Sequence, residues 1–139
     1  MSLKDSMIRG LAVYHVLLAE DNDLNAEIAV ALLEEQGIIV TRTDDGKSAL
    51  AQFCDTAPGT FDLILMDIMM PEMNGYETTK AIRNLPERPD GKEIPVIAMT
   101  ANAFAEDVQA ALNAGMDDHV AKPIDMEILL SVITKYIER

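Results

Sequence analysis

Four apolar runs in this chain each end on a charged or hydroxyl side chain, and that recurrence limits the fold more than any other feature. Leu17-Leu18-Ala19 runs into Glu20-Asp21, Leu63-Ile64-Leu65-Met66 into Asp67, Val96-Ile97-Ala98-Met99 into Thr100, and Val120-Ala121 into Lys122. Uninterrupted apolar runs suit strands covered on both faces, as in a parallel sheet. Open α/β sheets bind their ligands beyond the carboxyl ends of such strands. The three acids, the hydroxyl and the ammonium are therefore expected at one edge, a set suited to a divalent cation and a phosphoryl group.

Strand and helix signals alternate five times. Strands are predicted at Tyr14 to Ala19, Ile38 to Thr43, Phe61 to Met66, Ile94 to Met99 and Asp118 to Ala121. Helices are predicted at Asp23 to Gln36, from Asp45 as N-cap to Phe53, from Tyr76 to about Asn84, at Phe104 to Ala114, and after an Asp125 cap. Leu24, Ile28 and Leu32 form the expected inward stripe of the first helix. Leu85 to Glu93 reads as a long polar connection. Alternation of this kind implies right-handed crossovers and a flavodoxin-like, doubly wound five-stranded parallel sheet of order 2-1-3-4-5 with helices on both faces. The switch point of that order lies between the strands that deliver Glu20-Asp21 and Asp67.

The 139 residues fit one domain with a sizeable core. Residues 1–13 do not match the pattern and read as an N-terminal extension or a remnant of cloning; 14–139 form the domain, expected to be part of a larger protein. The formal charge of −13 reads mostly as a solvated acidic surface and argues against direct nucleic-acid binding, which needs a basic stripe. No stretch suits a membrane span or signal peptide, so no membrane contact is expected and a cytoplasmic setting is the default. Cys54, the single cysteine, forms no internal disulfide and reads as a small core residue.

Glu20, Asp21 and Asp67 would crowd three carboxylates into one pocket, which a cation relieves. Hard oxygen ligands with room for water favour Mg²⁺. The bland reading is that Asp21 or Asp23 caps the following helix; that accounts for one acid but not for the set. Asp67 is the candidate nucleophile toward phosphorus. Lys122 pairs with Asp67 or an arriving phosphoryl oxygen, and Thr100 offers a hydroxyl to the same oxygens. Pro123 follows Lys122, and a cis bond there would set the lysine's direction.

These segments, with Leu17 to Asn22, Asp62 to Pro71, Ile97 to Ala103 and Ala114 to Pro123 in order, resemble the receiver domain of two-component response regulators. The chain is most similar to receivers attached to hybrid sensor histidine kinases, over about residues 14 to 138. The resemblance implies that Asp67 accepts a phosphoryl group from a phosphohistidine. It implies that Glu20 and Asp21 hold Mg²⁺, one of them through water, with the backbone carbonyl of Met69 as a further ligand. Thr100 resembles the switch hydroxyl and Lys122 the lysine of the family. Phosphorylation then reshapes the face made by the fourth helix, fifth strand and fifth helix. The implied partners are a histidine kinase or a histidine phosphotransfer domain, and the implied state is a monomer or weak homodimer. The isolated domain would be no enzyme beyond catalysing its own phosphorylation and dephosphorylation.

Two positions depart from the pattern. Where well-studied receivers carry Tyr or Phe, three residues before the lysine, this chain has His119, which is either a pH-sensitive switch or a partly buried hydrogen-bonded histidine. Asn74 stands where Asp is frequent and is expected only to shape the loop. Met69 cannot activate water, so a long-lived phosphoryl aspartate is expected, although Asn102 remains able to position one. Met66, Met69, Met70 and Met73 read as core and loop anchors rather than a partner surface. A haloacid-dehalogenase-like phosphohydrolase would need an Asp at position 69. A flavodoxin would need a Ser/Thr-rich loop in place of Glu20-Asp21-Asn22-Asp23. A partner-binding pseudo-receiver would commonly lack the acids or the lysine.

Overall fold

The computed structural model describes residues 13–101 and 105–137. The expected residues 1–12, Asn102 and the start of the helix at Phe104 lie outside that range. In chain order the elements are β1 (His15–Ala19), α1 (Asp23–Glu35), β2 (Ile39–Thr43), α2 (Gly46–Asp55), β3 (Leu63–Asp67) and α3 (Gly75–Arg83). They continue as α4 (Pro89–Glu93), β4 (Val96–Thr100), α5 (Ala105–Ala114), β5 (Asp118–Ala121) and α6 (Met126–Ile137).

The five strands are parallel in the order β2-β1-β3-β4-β5, as the sequence predicts. β3 and β4 are buried at every position because helices cover both faces. One core layer joins Leu17, Ile64, Met66 and Ala98 to Ala49 and Phe53 of α2, Ile82 of α3 and Ala111 of α5. The other joins Val16, Leu18, Leu65 and Met99 to Ala26, Ala29 and Leu33 of α1 and to Leu129 and Ile133 of α6. β1, β3 and β4 therefore each serve two cores through alternate residues.

Three sequence expectations need correction. The buried stripe of α1 is Ala26, Ala29 and Leu33, while Leu24 and Ile28 are exposed and Leu32 is half-buried. The alanines let the helix lie close to the sheet, and the larger side chains are phased away. Cys54 is exposed, because the inward positions of α2 are Gly46, Ala49 and Phe53 and the next residue turns about 100° away. The connection after Leu85 contains α4, begun by Pro89 at its first turn. Arg88 holds it down, donating to Asp90 at 3.0 Å and to the Phe53 carbonyl at 2.9 Å, with its guanidinium 4.6 Å above the Phe53 ring.

Candidate functional site

The loops after β1, β3, β4 and β5 converge at the carboxyl edge of the sheet. The first begins with Asn22, whose side chain accepts the Asn25 amide at 2.9 Å and caps α1. The cap is thus neither Asp21 nor Asp23, so helix capping does not account for the acids. The β3–α3 loop returns to the strand through the Gly75 amide, which donates to the Ile68 carbonyl at 2.9 Å. A Cβ on Gly75 would collide with the Asp67 carbonyl oxygen, so only glycine lets α3 start this close to the acid. Asn74 forms a capping box with Glu77, which makes its loop-shaping role concrete. On the far side, the Lys122 amide donates to the Thr100 carbonyl at 2.8 Å, and the Lys122-Pro123 bond, whose isomer the sequence leaves open, is cis.

Glu20, Asp21, Asp67, Met69, Thr100 and Lys122 all line one cavity of about 360 Å³. Glu20, Asp67 and Thr100 are buried, whereas Asp21 is exposed. One carboxylate oxygen from each of Glu20, Asp21 and Asp67 lies within 4.8 Å of the others. Lys122 Nζ donates to Asp67 Oδ1 at 3.0 Å and to both carboxylate oxygens of Glu20 at 3.1 Å.

The electrostatics follow from this crowding. Burial pushes the Asp67 carboxyl above its ordinary value, and neighbouring Glu20 adds to the rise, while Lys122 opposes it. Burial and the nearby Asp67 raise Asp21 as well. Burial works against the charge of Lys122, but its bonds to Asp67 and Glu20 outweigh that cost and raise its pKa overall. Three hard oxygen donors short of positive charge suit Mg²⁺, so the residues fit that ion.

His119 lies elsewhere. It lines a separate cavity of about 160 Å³ with Val108, Ala111, Leu112 and Met116, and its Nδ1 is 3.8 Å from Asp118 Oδ1. Met69 is 76% exposed at the rim, whereas Met66 and Met70 are buried and Met73 is partly buried, so the methionines divide between core and surface. Sequence reading missed Arg42, which donates to the Glu20 carbonyl; its only outward signal is a lone base at the end of β2 in an acidic chain.

The model of the response regulator receiver domain family matches residues 16–134. The chain is 43% identical over 129 residues to hybrid signal transduction histidine kinase I of Dictyostelium discoideum, covering 88% of this chain and 7% of that protein. It is 40% identical over 121 residues to the sensor histidine kinase GacS of Pseudomonas protegens, covering 87% of this chain and 13% of that protein. The chain thus spans a small part of these relatives. Among solved structures, it is similar to the receiver domain of sensor histidine kinase PA1611 from Pseudomonas aeruginosa, which has a magnesium ion coordinated in its active-site cleft. There the identity is 35% and the TM-score 0.82, covering 92% of this chain and 100% of that one. It is also similar to the receiver domain of Ssk1 from Saccharomyces cerevisiae, solved with the histidine phosphotransfer protein Ypd1. That match has 27% identity and a TM-score of 0.77, covering 89% of this chain and 88% of that one. With this sheet order, this acidic edge and these matches together, the chain belongs to the response regulator receiver domain family.

Proposed function

We propose that this domain accepts a phosphoryl group on Asp67 from the phosphohistidine of a histidine kinase or a histidine phosphotransfer domain. The observation that carries the reading is the meeting of Lys122 with Asp67 and Glu20 beside Asp21, at the end of the central strands. An Asp67 carboxylate oxygen forms the new O–P bond as the P–N bond to histidine breaks, and the imidazole nitrogen keeps the electron pair. Lys122 balances charge on the phosphoryl oxygens, and Thr100 supplies a hydroxyl to them. Glu20, Asp21, Asp67 and the Met69 backbone carbonyl would hold Mg²⁺, which when bound offsets the negative charge that gathers around phosphorus.

Phosphorylation then acts through Thr100 and His119 on the face made by α5, β5 and α6. Leu24 and Ile28, exposed on α1, offer a partner apolar contact. The relatives support placement within a hybrid sensor histidine kinase or a response regulator. The domain is read as cytoplasmic, as a monomer or weak homodimer, and as catalysing only its own phosphorylation and dephosphorylation. Among the described residues no helix is long and apolar enough to cross a membrane.

The test is transfer from a phosphorylated histidine phosphotransfer protein. Label should pass to the wild type within minutes in Mg²⁺ and not to Asp67→Ala. Equal labelling of the two would contradict the assignment of Asp67.

A further inference from the structure

Arg42 stands in β2 opposite Leu18 and reaches the loop that carries Glu20 and Asp21. Its Nε and Nη2 donate to the Glu20 carbonyl oxygen at 3.2 and 2.8 Å. Nη2 also donates to Asp23 Oδ1 at 3.0 Å. The Glu20 amide still belongs to the ladder, donating to the Thr43 carbonyl at 3.1 Å. Past Thr43 the chain turns toward α2, and the guanidinium serves the Glu20 carbonyl in place of a further strand amide.

One side chain thus ties the residue just after β1 to the first residue of α1. Asp21 lies between those two anchors and is exposed, so its carboxylate is placed by the backbone of this short loop. Arg42 does not line the acidic cavity; it lies along a groove with Asp23, Glu27 and Glu34 of α1. Its rigid fork can satisfy two acceptors in one plane, which a lysine ammonium does less well.

We propose that Arg42 is a positioning residue for the cation site, fixing both ends of the Glu20–Asp23 loop and so setting the affinity for Mg²⁺. This rests on the reading of Glu20, Asp21 and Asp67 as Mg²⁺ ligands. Groups that orient metal ligands typically change affinity by about 10- to 100-fold when removed. Arg42 acts through backbone and only on one loop, so the lower end of that range is expected.

The experiment is an NMR titration with Mg²⁺ of the wild type, Arg42→Met, Arg42→Lys and Ile133→Val, together with amide exchange in metal-free protein. Ile133 is buried on α6, so its truncation lowers stability without touching the loop. Arg42→Met should bind Mg²⁺ about tenfold more weakly and speed exchange at Asp21 and Asn22. Arg42→Lys should recover part of the affinity, and Ile133→Val should keep the wild-type value. A wild-type Kd in Arg42→Met would overturn the proposal. Equal weakening in Ile133→Val would do so too, by making the effect one of stability, and full recovery in Arg42→Lys would replace the clamp with simple charge. Wild-type protein that shows no Mg²⁺-dependent shifts would sink the metal reading itself. The clamp is then decided by exchange in the metal-free variants, where unchanged rates at Asp21 and Asn22 would reject it.

Discussion

Lys122 Nζ lies 3.0 Å from Asp67 Oδ1 and 3.1 Å from each carboxylate oxygen of Glu20, so one ammonium joins two buried acids contributed by different strands. It stands in the pocket where a divalent cation would share the same oxygens. On the proposed function, lysine and cation would compete electrostatically for a common set of acids, yet both would favour an incoming phosphoryl group.

Replacing the ammonium separates these effects. Lys122→Met should bind Mg²⁺ more tightly, by about tenfold, because one positive charge leaves the neighbourhood of the ion. It should also accept phosphate more slowly, since charge on the phosphoryl oxygens loses a partner. Calorimetric Mg²⁺ titration reads the first effect and the rate of phosphorylation the second. Weaker Mg²⁺ binding in the variant would mean that Lys122 organises the acids rather than competing for them.

A second ion pair gives a pH signature away from the site. The bond from Arg88 holds Asp90 below its ordinary value of 3.8, and the two side chains are 13% and 21% exposed. A carboxyl depressed in the folded state contributes stability above its unfolded pKa and loses it as pH falls through the folded value. Asp90→Asn should thus cost about 1 kcal/mol at pH 7. The two proteins should converge as pH drops below 3.8. Urea denaturation across pH checks this, and a gap that persists undiminished in acid would assign the loss to loop geometry instead of charge.

The fold and the acidic edge were legible because both depend on short-range pattern. Runs such as Leu63 to Met66 are buried on both faces, so their apolar character is continuous and the polar residue that follows marks the strand end. What escaped the sequence depends on register or helix phase. Arg42 meets the Glu20 carbonyl only because β1 and β2 pair in register, setting Arg42 opposite Leu18. Ala26 and Ala29 carry too little hydrophobic signal to outrank Leu24 and Ile28, although they form the buried face of α1. The five-residue α4 is too short for any periodic pattern, and its position relies on Arg88 reaching Asp90 and Phe53. Asp67 as nucleophile toward phosphorus was read from its place at a strand end among the acids, whereas the phosphohistidine donor and the proposed Met69 carbonyl ligand came from resemblance to a family, since chemistry of that detail is not written in hydrophobic spacing.

The exposed Met69 side chain at the cavity rim offers water neither a donor nor a strong acceptor. Met69→Asn should shorten the lifetime of phosphorylated Asp67 several-fold at neutral pH. Timed loss of the phosphoryl group after removal of the donor measures this. A lifetime in the variant equal to or longer than that of the wild type would remove Met69 as its determinant.

Whether Asp67 is a Mg²⁺-dependent phosphoacceptor is decided by intact mass after incubation with acetyl phosphate, with and without Mg²⁺, on the wild type and Asp67→Ala. One added phosphoryl group is expected in the wild type only when Mg²⁺ is present, and none in Asp67→Ala. An adduct on Asp67→Ala, or no adduct on wild-type protein that also fails to bind a beryllium fluoride mimic, would contradict that role.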